Sequence, residues 1–380
     1  MKKLAFVINV FREDDFHSGG EKLFYELVKI SLERNYKVDL FCCKYLYSSK
    51  EPSLNLNKLI ISGNSKFFKH PEKIENLFQE FKKLIDVEEY DHVISENITP
   101  PLDIAIIQGH SAQHYLKMSQ NIFEKISMKF KKKDFIKYQQ KWFKTRYKKI
   151  FVPSNTLKKE LVSNFDVNEE KIFVAYPGVD IPDNVQNIDI KSIIEQKKPV
   201  SIGLSAPSFK NKGGYIFLKS LYLLKSKGLE FNAKIIYPKY KKNLFLQLCV
   251  GLYGLKDNVE FLSYQKDMSE FYNSVDIVVV PSILETFGLV VLEAMAYKKI
   301  PIVSTYAGAS EIIDEGKNGF IFDISQKSYI NLAQKLECII KNPQLIEEMS
   351  NNCYQTAKTF SWNSCIESIL NKICEETESL

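Results

Sequence analysis

The chain has 380 residues, enough for two domains of ordinary size, and 45% of them are hydrophobic, so sizeable cores can form. With 26% charged residues, a mild net charge of +6 and no low-complexity tract, it does not read as a disordered chain. The seven cysteines lie scattered without metal-ligand spacing, which points to reduced cytosolic thiols, and no apolar run of about 18 residues is present to span a membrane.

The first residues, MKKLAFVINVF, carry two lysines and a short apolar run. The run is too short for a signal peptide and no small-residue cleavage site follows, so Leu4 to Val10 is expected as a first core strand. A loop from Phe11 to Ser18 leads to Gly19-Gly20 and a helix over 21–33, with Leu23, Leu27 and Ile30 on one face. Val38 to Cys43 reads as a second strand, which makes a βαβ opening. The turn lacks G-x-G-x-x-G, so no dinucleotide cofactor is expected. The glycine pair is either a plain turn or a point where a ligand meets the backbone. Glu13-Asp14-Asp15 lacks D-x-D spacing, and no metal site is predicted.

A helix is expected over 71–85, then strands at 92–95 and 104–107. The second ends in Gln108-Gly109-His110-Ser111, which puts His110 just past a strand's carboxyl end. An imidazole there can donate a hydrogen bond or a proton, although loop histidines are also commonly structural. His114 reads as surface.

Residues 125–149 hold eleven lysines or arginines and one acid, Asp134. Phe135, Tyr138 and Trp142 share one helical stripe, and Ile136, Phe143 and Tyr147 share another. Basic residues with aromatics fit an interfacial helix drawn to anionic lipid. A solvated helix with inward aromatics is the next reading, and nucleic acid ranks last. Ile150 to Pro153 is a strand, Ser154 caps a helix over 155–164, and the polar segment 181–198 is a linker. Val200 to Leu204 opens a second domain. The loop after it places Lys210 and Lys212 before Gly213-Gly214 and a helix start, where cations and backbone donors can hold a diphosphate. Further strands are expected at 233–237 and 259–263.

The most informative stretch is VDIVVVPSILETFGLVVLE, residues 275–293. A valine-rich strand runs through a short loop into a helix opening at Phe287-Gly288. The helix start then lies at the carboxyl edge of a parallel sheet, where open α/β folds bind ligands. The N–H groups of Phe287, Gly288 and Leu289 favour an anion, and Gly288 permits close approach. Glu285 and Glu293 frame this point, and carboxylates suit hydroxyl donors such as ribose and sugar. Downstream, 300–304 is a strand, Gly308 to Glu311 starts a helix, Asn318-Gly319-Phe320 turns into a short strand, and the chain is helical after Asp323.

Pro281-Ser282-x-x-Glu285-x-Phe287-Gly288-x-x-x-x-Glu293-Ala294 resembles the E-x7-E signature of retaining glycosyltransferases with the two-Rossmann-domain (GT-B) fold. That large family, glycosyltransferase family 4-like or glycosyl transferases group 1, includes sucrose, mannosyl and lipopolysaccharide-core transferases. Tyr176-Pro177-Gly178-Val179-Asp180 also matches the phrase that closes the family's first domain, and Lys212-Gly213 matches its helix start. The family's arginine after the first strand of the second domain is missing: Leu204 or Ser205 stands there, with Lys210 as a possible substitute that lacks the bidentate fork. The resemblance implies that Glu293 binds ribose and Glu285 the donor sugar. It implies a sugar contact for His110, and phosphate or acceptor contact at Gly19 and Gly20. It also implies a metal-independent reaction.

The reading is therefore an α/β protein of two Rossmann-like domains. An acceptor domain spans 1–180, a nucleotide-sugar domain 199–355, and a C-terminal helix over 356–380 crosses back to the first. The expected activity is a retaining transfer from a nucleotide diphosphate sugar, UDP-sugar favoured, to a glycan or lipid-linked acceptor such as lipopolysaccharide core. The expected location is the inner face of the cytoplasmic membrane, contacted through 125–149, with no cofactor and no nucleic acid. A nucleotide-sugar epimerase on the same fold and a non-catalytic sugar-nucleotide binder are the alternatives.

Overall fold

The computed structural model describes residues 2–49, 51–61, 81, 83–96, 103–118, 126, 133, 135–143 and 147–375. Most of the helix expected over 71–85 and much of 125–149 lie outside the described residues. The chain forms two compact units, Met1–Gly178 with Trp362–Leu380, and Val179–Ser361.

The first unit is built on strands β1 (Lys3–Arg12), β2 (Lys37–Leu46), β3 (Lys58–Ile61), β4 (His92–Glu96), β5 (Ile104–Ile106), β6 (Lys149–Val152) and β7 (Ile172–Val174). They form one parallel sheet in the order β3-β2-β1-β4-β5-β6-β7. A parallel sheet is covered on both faces, so its inner strands read as unbroken apolar runs, and Leu4 to Ile8 of β1 are all buried. The order reverses between β1 and β4, and a crevice opens at the carboxyl ends of strands at such a point. Helix Gly19–Glu33 leaves β1 there, with the Ser18 side chain accepting from the Glu21 N–H at 3.2 Å. The edge strand β3 and helix Ala112–Met118 are additions to the sequence reading.

The final helix, Trp362–Cys374, belongs to this unit and packs against helix Gly19–Glu33. Its last carbonyls need donors. Lys149 supplies them: its Nζ donates to the carbonyl oxygens of Lys372 at 2.5 Å and Glu375 at 2.6 Å. Burial pushes the Lys149 ammonium below its usual range. This lysine is thus a helix cap and not part of a charged face.

The second unit holds β8 (Val200–Ser205), β9 (Phe231–Ile236), β10 (Val259–Leu262), β11 (Ile277–Val280), β12 (Ile300–Ser304) and β13 (Phe320–Phe322), again parallel, in the order β10-β9-β8-β11-β12-β13. The reversal falls between β8 and β11. Between them and their neighbours run helices Gly214–Ser226, Leu244–Leu252, Ser269–Asn273 and Leu289–Ala296. The segment read as a linker contains a short helix, Ile190–Glu195. Gly308–Ile312 is a 3-10 turn and not an α-helix start. The amides of Gly308 and Ala309, which open this turn, bond sideways to the carbonyls of Glu285 (3.2 Å) and Phe287 (2.8 Å).

These sideways bonds fix the loop after β11. On the same side the buried Ser304 hydroxyl donates to the Ser282 carbonyl at 2.6 Å, and on the other side the Ile283 N–H donates to the Asn211 carbonyl at 3.1 Å. Gly213 makes the approach possible. Its φ is +70°, and a Cβ there would sit 1.8 Å from the Pro281 carbonyl oxygen. Gly228 has nearly the same φ, +71°, with nothing within 4 Å. Gly228→Ala should therefore cost only the left-handed backbone penalty of about 1–2 kcal/mol, and Gly213→Ala clearly more, read as urea midpoints at unchanged slope. Equal losses would show that the loop contact is not tight.

Candidate active site

Strand β11 delivers the loop 281–288 to the reversal point of the second sheet. Gly288, at φ +101°, ends the loop and caps helix Leu289–Ala296, whose Val291 N–H returns to the Gly288 carbonyl at 2.9 Å. A side chain at Gly288 would press on Glu285, with a Cβ 3.2 Å from its Cγ. Glu285 is held from the neighbouring loop by an ion pair with Lys212, and the Ser282 hydroxyl stands 3.4 Å from its Oε2. Lys210, in the same loop as Lys212, is exposed. The structure thus joins Lys212, Gly213, Glu285 and Gly288 in one cluster at the end of the sheet.

Glu293 lies inside the helix. Its Oε2 accepts from the Tyr272 hydroxyl at 2.6 Å, and the Tyr272 ring, itself buried, stacks on Tyr297 with centroids 5.1 Å apart. Burial raises the Glu293 carboxyl above its usual range, the Tyr272 bond works against this, and the Asp180 charge adds to it. Tyr272 was missed from the sequence because nothing in SEFYN marks it as a partner for a residue 21 positions on.

In the first unit, Gly19 opens the helix after β1, and Gly20 packs on the loop after β5: a Cβ at Gly20 would meet the Gln108 Cβ at 3.1 Å. Two residues on, His110 Nδ1 lies 2.5 Å from Glu160 Oε2, while Glu160 Oε1 accepts the Ser111 N–H at 2.8 Å. Both side chains are buried, at 4% and 3% exposure, and His110 Nε2 has no partner among the described residues. Burial tends to raise Glu160, but the His110 and Ser111 bonds and the histidine charges hold it below the usual carboxylate range. His114 belongs to this group too, 3.6 Å from Glu160, and is not a simple surface residue. The ligand atoms of His110, His114 and Glu160 lie within 4.8 Å of one another, close enough for a metal. The two imidazoles, however, are stacked at 4.7 Å and 11°, so their in-plane lone pairs lie in two separate, nearly parallel planes and do not converge on one point. The geometry is that of a hydrogen-bonded His110–Glu160 pair with the His114 ring stacked on it.

A further acid emerges at the first sheet's reversal point. Glu96 ends β4, and burial, reinforced by the Glu21 charge, pushes it up to about 7. Its sequence signal was an acid closing the apolar strand HVISE. Glu13 and Asp14, by contrast, serve the loop: Glu13 accepts from Tyr45 and the Ser53 amide, and Asp14 from the Ser48 amide at 3.0 Å. The described aromatics of 125–149 face inward, with Tyr138, Trp142, Phe143 and Tyr147 all buried.

Two parallel-sheet units of Rossmann type, with acids and glycines at their reversal points, define a GT-B protein. Comparison with known proteins agrees. The family described as "Glycosyltransferase Family 4" matches residues 17–182, and "Glycosyl transferases group 1" matches residues 186–359. Together they cover most of the chain, which belongs to this glycosyltransferase family. An uncharacterized glycosyltransferase, MJ1607 of Methanocaldococcus jannaschii, is 27% identical over 231 residues, which is 58% of this chain and 58% of that one. Among solved structures, WaaG, a glycosyltransferase involved in lipopolysaccharide biosynthesis, superposes with a TM-score of 0.75 at 17% identity, covering 98% of this chain and 100% of the other. Anabaena HepE in complex with UDP-glucose gives 0.67 at 15% identity, covering 99% and 100%.

The Glu293 environment is directly measurable. With selectively carbon-13-labelled glutamate, its carboxyl should titrate above the ordinary glutamate range. Because the folded state holds this proton more tightly, ionisation of Glu293 costs stability as pH rises through the raised midpoint. Tyr272→Phe removes the hydrogen bond that lowers it, so the midpoint should move further up. An ordinary midpoint, or no change in the variant, contradicts the assigned contacts.

Proposed function

We propose that this chain is a retaining, metal-independent glycosyltransferase that moves a sugar from a nucleotide diphosphate sugar, with UDP favoured, to a hydroxyl of a cell-envelope glycan or lipid-linked saccharide. The observation that carries the reading is the cluster at the reversal point between β8 and β11, where Lys212 pairs with Glu285 beside the Gly288 helix start, with Glu293 and Tyr272 behind it. That cluster offers the contrasting groups a sugar nucleotide needs. Lys212, with Lys210 near it in sequence, and the amides of Phe287, Gly288 and Leu289 suit the diphosphate, whose charge grows as the sugar departs. Glu293 suits the ribose hydroxyls and Glu285 those of the sugar.

Retention follows if the acceptor hydroxyl attacks the face that the diphosphate leaves, its proton passing to the leaving phosphate oxygen. In the first unit, His110 is the candidate to hydrogen-bond the sugar. Glu160, accepting from Nδ1–H, would fix the tautomer that turns Nε2 toward a hydroxyl. Gly19, Gly20 and Glu96 are candidates for the acceptor side. The lysines of 125–149 would draw the protein to an anionic membrane surface, on the inner face of the cytoplasmic membrane, where such acceptors reside. The UDP-sugar complex of HepE and the lipopolysaccharide role of WaaG support donor and acceptor class by likeness of fold.

A panel of sugar nucleotides, assayed for release of nucleoside diphosphate, tests this. One donor should be preferred, and Glu285→Ala and Glu293→Ala should each lower turnover at least about 100-fold. The anomeric configuration of any product should match the donor. Release that survives both substitutions, or an inverted product, overturns the proposal. An epimerised donor formed without acceptor would favour the epimerase, and binding without turnover the passive binder.

A further inference from the structure

Helix Leu244–Leu252 in the second unit is apolar on its solvent face as well as on its core face. Leu246 and Val250 face the core at 0% and 2% exposure. Leu244, Phe245, Leu248 and Leu252 are exposed at 78%, 62%, 58% and 73%. At about 100° per residue these four fall within an arc of about 100°, so the whole solvent face of the helix is apolar. Single exposed apolar side chains need no explanation, but three leucines and a phenylalanine on one nine-residue helix form a patch.

The surroundings say what covers it. The 3-10 turn Tyr240–Lys242 leads into the helix, and Lys239, Lys241 and Lys242 are exposed beside its first residues. Lys256 is exposed just past its end. From Phe231 to Lys256 there are five lysines and no acid. Aromatic rings border the face: Tyr215 lies 6.1 Å from Phe245, and Tyr222, 42% exposed, lies 5.1 Å from Tyr253. Apolar side chains flanked by lysines and tyrosines match the layering of an anionic bilayer surface, with hydrocarbon below, aromatics at the boundary and phosphates above.

We propose that helix Leu244–Leu252, with Lys239, Lys241 and Lys242, is a membrane-docking surface for anionic lipid, separate from residues 125–149. A second copy of the chain is the weaker occupant. A nine-residue helix is only about 14 Å long and falls well short of the roughly 800 Å² per partner that a stable dimer needs. The same lysines would face each other across a two-fold axis and repel. The surface deepens the membrane-borne acceptor reading given above, and its test needs no donor, so the two can fail separately.

The test is co-sedimentation of the full chain with phosphatidylcholine vesicles containing about one third phosphatidylglycerol, beside vesicles of phosphatidylcholine alone. Binding should favour the anionic vesicles and weaken with salt. The variant carrying Leu244→Ser, Phe245→Ser, Leu248→Ser and Leu252→Ser should lose at least tenfold in affinity. So should Lys239→Glu with Lys241→Glu and Lys242→Glu. Since all seven side chains are exposed, melting temperature and donor turnover in solution should stay as in the parent chain. No binding by the parent chain, or undiminished binding by either variant, overturns the proposal. A concentration-dependent dimer in light scattering that the serine variant dissolves assigns the face to a second copy and overturns it equally.

Discussion

The approach of two loops at Gly213 and Pro281 is the constraint on which the candidate site depends. Only a residue without Cβ fits there, because the Pro281 carbonyl occupies the space a side chain would take. That contact brings the loop after β8 against the loop after β11, and it is what allows Lys212 to reach Glu285. The amides of Gly308 and Ala309 hold the far side of the same loop. Three consecutive loops of the sheet edge are thus laced together, and the charged groups at their tips are positioned by backbone contacts and not by their own flexibility.

The two units repeat one device. Each is a parallel sheet whose strand order reverses beside its first strand, and each places an acid with a raised carboxyl near that reversal: Glu96 in one, Glu293 in the other. In both cases burial is the main cause. A half-desolvated carboxyl is expensive to keep for structure alone, and such groups collect at functional positions. Glu293 has Tyr272 to share its proton interactions, while Glu96 feels the nearby charge of Glu21.

What could be read from the sequence was the part encoded locally. Valine and isoleucine runs bounded by turns marked most strands, because strands buried on both faces need little else. Ser154 announced its helix, and its hydroxyl accepts from the Leu157 N–H at 3.1 Å. The motif around Glu285 and Glu293 was legible because residue type and spacing are both specific. What escaped depends on distant partners. Tyr272 meets Glu293, and Glu160 meets His110 from 50 residues away. Lys149 counted as one charge in a basic run, yet it caps the last helix from 223 residues away. The strand β3 was hidden because its apolar run, Leu59 to Ile61, is only three residues long and sits at an exposed edge of the sheet.

The edge of the second sheet is proposed to hold the diphosphate and ribose of a nucleotide sugar. Isothermal titration of the full chain with nucleoside diphosphates addresses it most directly, without any need for acceptor or turnover. One nucleoside diphosphate should bind at a single site, with affinity at least tenfold weaker in Glu293→Ala and in Lys212→Ala. Lack of binding by every nucleoside diphosphate, or binding untouched by both substitutions, would contradict the account.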